Sequence, residues 1–201
     1  MKILFSTAYL PPVNYISACL QADTIYIESC ENYTKQTIRN HCLIYGPNGK
    51  QLLTIPVIKV NGNHTLIKDI RIANAQPWQK WHWRSIETAY NNSPFFIYYR
   101  DYFEPFYCRK FEFLLDYNTR LLETIFLMMR LDIELRFTET YERSPVNISD
   151  LRYDHFNEIA DSKAHCVPYT QVFQEKHGYF HNLSILDLIC NSGPSASEYL
   201  T

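Results

Sequence analysis

Apolar and polar residues alternate in several distinct rhythms along the chain, and each rhythm predicts a different element. The dense apolar start, residues 2–8, suits a buried strand; residues 15–21 suit a short helix; residues 24–29 set isoleucines between polar positions, as a second strand does. Together they predict a β-α-β opening. Strict alternation then puts Tyr33, Lys35, Thr37, Arg39 and His41 on one face and Gln36, Ile38, Asn40, Cys42 and Ile44 on the other. That stretch reads as the first arm of a hairpin, with Gly46-Pro47-Asn48-Gly49 as its turn and residues 52–57 as its second arm. Asn-Gly accepts the positive φ that a tight antiparallel turn demands. Another strand is expected over 67–72, after the Asn61-Gly62-Asn63 turn.

The period then lengthens to that of helices. Pro77 starts one that runs to about Tyr90, and Ser93-Pro94 repeats the signal. Phe95, Tyr98, Tyr99, Tyr102, Phe103 and Phe106 follow at helical spacing and predict a core-facing aromatic stripe. A third helix, 117–130, is capped by Asp116 and buries Leu121, Leu122, Ile125 and Met129; residues 133–138 read as a last strand. Residues 141–168 are polar and aperiodic, the signature of a long excursion that covers a site or stays mobile. Asn182 or Ser184 caps a terminal helix ending near Cys190. The expected fold is α/β: a single domain over 1–201, with a central mixed sheet followed by a mostly helical C-terminal half.

Composition narrows the function classes. With 201 residues, 46% of them hydrophobic, and a formal net charge of -2, the chain suits one well-buried core and gives no reason to expect nucleic acid as partner. No run approaches the length of a membrane-spanning helix and no secretory signal opens the chain, so a cytoplasmic protein without membrane insertion is expected. The six cysteines are widely and irregularly spaced, which in a reducing compartment predicts free thiols. Sixteen Tyr and twelve Phe suggest either aromatic packing or a cleft that stacks on a ring. The sequence does not fix the oligomeric state.

Several residues could carry chemistry. Lys35 and Arg39 suit an anion if their face is not simply solvated, and Asn40 could offer its amide to a carboxylate or sugar hydroxyl. Tyr9, close before Pro11-Pro12, should be held rigidly at the end of the first strand. His82, between Trp81 and Trp83, is the general-base candidate, against the plainer reading of a packed histidine. Asp187 lies in an apolar helix, where an ionised carboxylate is costly to bury unless paired. Glu28 ends the second strand, where open α/β sheets place ligand-contacting residues; a structural ion pair with Arg39 is the competing reading. His165, Cys166, His177 and His181 are the one zinc candidate, but Gly178 interrupts helical face-sharing, so no metal is expected. Phosphate-binding, dinucleotide-binding and serine-hydrolase motifs are missing, so no cofactor is expected. A cysteine nucleophile paired with a histidine stays open.

Tyr33-Thr34-Lys35-Gln36-Thr37-Ile38-Arg39-Asn40, then Pro47-Asn48-Gly49 and Leu53-Thr54-Ile55-Pro56-Val57, resemble the core signature of the WbqC-like family. The resemblance extends through Tyr9-Leu10-Pro11-Pro12, Trp78, His82-Trp83-Arg84, Ser93-Pro94, Leu115-Asp116, Asn118, Tyr169, Gln171 and residues 182–188, and departs from the family pattern at His41 and Cys190. It implies a role in O-antigen or related surface-polysaccharide biosynthesis, with aminoacyl or glycine transfer to a sugar suggested for some members. The expected partner is thus an anionic small molecule or a nucleotide-linked sugar, with Lys35 and Arg39 holding it and His82 as base. A noncatalytic protein that binds the same precursor is the alternative.

Overall fold

A computed structural model describes residues 1–152 and 166–200. Strand β1 (Lys2–Ser6) leads through helix α1 (Val13–Cys19) into β2 (Thr24–Glu28), and the two strands pair in parallel with Lys2 opposite Thr24 and Ser6 opposite Glu28. Strands β3 (His41–Gly46) and β4 (Gly49–Thr54) form the hairpin, followed by the two-residue strands β5 (Val57–Ile58) and β6 (Arg71–Ile72). Helices α2 (Trp78–Tyr90), α3 (Phe96–Cys108) and α4 (Leu114–Met129) come next, then β7 (Glu134–Phe137), β8 (Ser149–Asp150), α5 (Gln174–His177) and α6 (Ile185–Ser192).

The class is α/β, with a parallel sheet, antiparallel hairpins and helices in the C-terminal half. The parallel sheet has the order β7-β2-β1-β8, and the hairpin stands beside it as a separate two-stranded sheet. Ile3, Phe5, Ile25 and Ile27 are buried in the main apolar core, which they share with Ile86, Phe103, Leu121 and Leu188 from the helices. The opposite face carries Lys2, Leu4, Tyr26, Glu28 and Arg136. Parallel strands are usually covered on both faces; here this second face borders a cavity roofed by residues 138–148.

Several sequence expectations need correction. Residues 33–40 are not strand: they form a loop and turn, with Gln36 at φ 56°, so the face shared by Tyr33, Lys35, Thr37, Arg39 and His41 does not exist. Tyr9 N–H donates to the Ile38 carbonyl, and the Asn40 and His41 N–H groups turn back to the Thr37 carbonyl, which gives this backbone a partner without a ladder. In the hairpin turn the positive φ falls on Gly49 alone, at 103°. Pro47 and Asn48 occupy the two central positions, and proline second with glycine fourth is the preference of a type I turn. The second arm ends at Thr54, and residues 67–69 make a 3-10 turn before the short β6. Asp116 lies inside the first turn of α4 and caps nothing through its side chain. The aromatic stripe divides: Phe103 is buried and Phe95, Tyr99 and Phe106 are half-buried, whereas Tyr98 and Tyr102 are exposed, and it is the adjacent Phe96 and Tyr107 that join Phe103 inside. Ser184 does cap α6, its hydroxyl accepting from the Leu186 N–H. Part of the 141–168 excursion, residues 153–165, lies outside the described residues, but β8 within it pairs with β1.

Candidate functional site

The strand ends concentrate buried charge. Glu28, fully buried at the carboxyl end of β2, accepts from the Cys30 N–H at 2.9 Å, the Thr138 hydroxyl at 2.6 Å and Nη1 of Arg152 at 2.8 Å. Arg152 also grips Asp150 through Nε at 2.9 Å and Nη2 at 2.7 Å, and Nη2 donates to the Glu142 carbonyl. Burial acts upward on the Asp150 carboxyl, but the hydrogen bonds and charge of Arg152 outweigh it and hold the group below its usual range.

Arg39 makes a second buried pair, with Nε on Glu31 Oε1 at 2.8 Å and Nη2 on Oε2 at 2.7 Å. Its Nη2 also donates to the Ser6 hydroxyl at 2.6 Å, and that hydroxyl in turn donates to the Arg152 carbonyl. The two acid–arginine pairs are thereby tied together behind β1. Neither arginine bonds the other's acid, so Glu28 and Arg39 both sit in ion pairs but not with one another.

Tyr9 and His82 meet at a different point. The Tyr9 hydroxyl lies 2.9 Å from His82 Nδ1 and 3.1 Å from the Tyr107 hydroxyl. Burial lowers His82 to about 4, a little offset by its bond to the Thr54 carbonyl, and burial raises Tyr9 well above the ordinary tyrosine value. His82 is therefore neutral, with Nδ1 accepting from Tyr9 and the other ring N–H committed to Thr54. Leu10, next in the chain, is fully buried at φ 39°, an unusual conformation for a bulky residue that pins Tyr9 before the proline pair. Asn40 is close by, because its amide donates to the Ile55 carbonyl and Ile55 follows Thr54. Asn118 joins the same region, donating to the Thr7 hydroxyl and the Arg39 carbonyl.

Asp187 is fully buried on α6 and accepts from the Tyr169 hydroxyl at 2.7 Å and the Gln171 amide at 3.0 Å. Burial raises its carboxyl to about 6, with Tyr169, Tyr90 and Gln171 pulling the other way. Gln171 also joins Phe180 through both its amide N–H and its carbonyl, so Asp187 anchors the segment that closes against α6. Lys35 is exposed. His41 is pushed down by burial, so it supplies no fixed charge.

The cavity on the face of the parallel sheet that carries Leu4, Tyr26 and Glu28 has a volume of about 630 Å3. Its floor is Leu4, Tyr26 and Glu28, with Lys2 at the amino end of the strands, Arg136 on β7 beside Tyr26, and Thr138 beyond. Of the candidates named from sequence, Glu28 lines it; Tyr9, Lys35, Arg39, Asn40, His82 and Asp187 do not. Tyr26, Arg136 and Thr138 on the lining, and Arg152, which bonds Glu28, were missed. The alternation of Lys2, Leu4 with Tyr26, Glu28 across two paired strands carried a signal for the first of them, but the contributions of β7 and Arg152 depend on pairings made far along the chain.

Among the described residues, no three His, Cys, Asp or Glu side chains gather as a metal site would require. His177 Nε2 donates to the Pro47 carbonyl at 2.9 Å, His181 packs on Tyr179, and His165 lies outside the described residues. No helix among the described residues is long and apolar enough to cross a membrane.

The model of the WbqC-like protein family matches residues 7–161. A curated relative from Mycobacterium tuberculosis (strain ATCC 25618 / H37Rv), described as uncharacterized protein Rv1507c, is 25% identical over 217 residues, covering 96% of this chain and 94% of its own length. No solved structure matches the chain.

Proposed function

The chain belongs to the WbqC-like protein family, and from that premise and the cleft over its parallel sheet we propose that it binds a nucleotide-linked sugar and modifies it as a transferase in O-antigen-type polysaccharide assembly. The work would take place in the cytoplasm, where activated sugars are built. The observation that carries this reading is the mixed apolar and polar lining of the cavity, with Glu28 at the carboxyl ends of parallel strands, where α/β sheets characteristically take ligands. Tyr26 offers a ring on which a sugar can lie, Lys2 and Arg136 offer charge for phosphate, and the volume falls in the ordinary range for small-molecule sites.

In this proposal Glu28 is the carboxylate placed to take a proton from an attacking hydroxyl or amine, with Arg152 and Thr138 fixing its position. Tyr9, His82, Arg39, Asn40 and Asp187 act as positioning groups that hold the strand ends and the neighbouring loops. One observation favours the noncatalytic alternative: the Glu28 carboxylate already engages three donors. Product analysis separates the two readings. With nucleotide sugars and aminoacyl donors, the transferase reading expects saturable binding and a modified sugar, Tyr26→Ala to weaken binding, and Glu28→Gln to keep binding while losing turnover. Binding without product in every combination would leave the carrier reading, and failure of all nucleotide sugars to bind would remove both.

A further inference from the structure

The charges along the cleft are not evenly engaged. Arg136 is held by Glu134 at 2.7 Å, and Arg152 is held by Glu28 and Asp150. Among the described residues lining the cleft, Lys2, Glu139 and Glu142 carry charges that enter no ion pair. Their placement follows from the register. Lys2 lies opposite Thr24 in the first rung of the sheet, and Ser6 lies opposite Glu28 in the last, roughly 13 Å further along the strands. Glu139 follows Thr138, which bonds Glu28, and the Glu142 carbonyl bonds Arg152, so both glutamates belong to the carboxyl end. The cleft is therefore basic at one end, where Lys2 and Arg136 outnumber the neighbouring Glu134, and acidic at the other, with Leu4 and Tyr26 between them on neighbouring strands.

A neutral sugar offers the acidic end only hydroxyl hydrogen bonds, a cation adds charge attraction there, and a second phosphate would be repelled. We infer that the cleft takes a sugar with a free, protonated amino group, its cation against Glu139 and Glu142 and its phosphate-bearing end toward Lys2. This deepens the nucleotide-sugar reading and rests on it. The sugar ring would lie over Tyr26, whose face is apolar and whose hydroxyl bonds Arg136. The arrangement places an amino group near Glu28, the carboxylate proposed above to accept a proton. Acyl transfer to this ammonium releases two protons: the first passes to the Glu28 carboxylate and frees the nitrogen lone pair, which forms the bond to the acyl carbon as the donor's leaving group departs with its electron pair, and the second leaves with that leaving group.

Calorimetric titration of the full chain at low ionic strength with UDP-4-amino-4-deoxyglucose, whose amine lies across the ring from the phosphate-bearing carbon, with its 4-N-acetyl derivative and with UDP-glucose tests this. The amino sugar is expected to bind about three- to tenfold more tightly than the other two, the range that two partly exposed carboxylates can supply. That advantage should vanish in Glu139→Gln/Glu142→Gln and shrink with added salt, while Lys2→Gln weakens all three ligands alike. Both glutamates are exposed, so the double variant should fold. Equal binding of the three sugars, or an amino-sugar advantage that survives the double variant, overturns amine recognition while leaving the nucleotide-sugar site intact. No binding by any of the three overturns both.

Discussion

The Tyr9 hydroxyl, at the exit of β1, sits 2.9 Å from Nδ1 of His82 on α2, a contact made across 73 residues of sequence. It joins the parallel sheet to the helical half at a point from which solvent is excluded. Tyr9→Phe removes the donor and leaves a buried imidazole nitrogen without a partner, at a cost of about 1–3 kcal/mol. The midpoint of urea unfolding should fall accordingly, with the slope unchanged. An unchanged midpoint would mean that the pair contributes no net stability.

Arg39 would be expected to bind ligand if its guanidinium faced a cleft, but it lies buried against Glu31 and Ser6. Arg39→Ala should then act on folding: it strands the Glu31 carboxylate and should cost about 3–5 kcal/mol. Removing both charges together, as Arg39→Met with Glu31→Gln, should cost clearly less than Arg39→Ala. Unfolding curves of the three proteins check this. Additive losses, with no recovery in the double variant, would show that the pair is not coupled.

Local chemistry made much of the fold legible. Dense apolar residues announced β1, the Ile25 and Ile27 alternation announced β2, Pro77 and Ser93-Pro94 marked the approach to α2 and α3, and Ser184 marked α6. Residues 33–40 misled because polar alternation is also produced by a turn whose arginine goes inward to an acid. Nothing in the order Thr37-Ile38-Arg39-Asn40 reveals that Glu31 awaits that arginine. The cleft was harder still. Tyr26 and Glu28 lie two residues apart and could be placed on one face, but Arg136 and Arg152 arrive through β7 pairing with β2 and β8 pairing with β1. Such pairings are set by the global packing of the chain.

Gly193 occupies φ 58° directly after α6, and a β-carbon there would overlap the ring of Phe95. Gly193→Ala therefore carries both a backbone and a steric penalty, and should destabilise the protein by more than about 1 kcal/mol. Phe95→Ala in the same chain relieves the overlap but not the φ, so it should restore part of the loss attributable to Gly193→Ala. A thermal melt of the four proteins separates the two contributions. Equal effects of Gly193→Ala with and without the Phe95 ring would show that the overlap is relieved by movement elsewhere.

Asp187 predicts a pH dependence of stability with a definite sign. Burial raises its folded value from 3.8 to about 6, despite the bonds from Tyr169, Tyr90 and Gln171. The native state thus holds this proton more tightly than the unfolded chain does. The stability it contributes is complete below the unfolded value near 4, and is lost as pH rises through about 6. A shift of this size amounts to roughly 3 kcal/mol over the full window. Tyr90, Tyr169 and Cys190, which face the carboxyl, are all pushed upward and stay neutral through that window, so they do not mask it. Asp187→Asn has no proton to lose. Between about pH 8 and pH 4 the unfolding free energy of the wild type should rise relative to that of Asp187→Asn by an amount of order 1–3 kcal/mol, measured by urea titration at each pH. Parallel profiles for the two proteins would show that the buried carboxyl titrates as it does in the unfolded chain. The bonds to Tyr169 and Gln171 would then offset its burial completely.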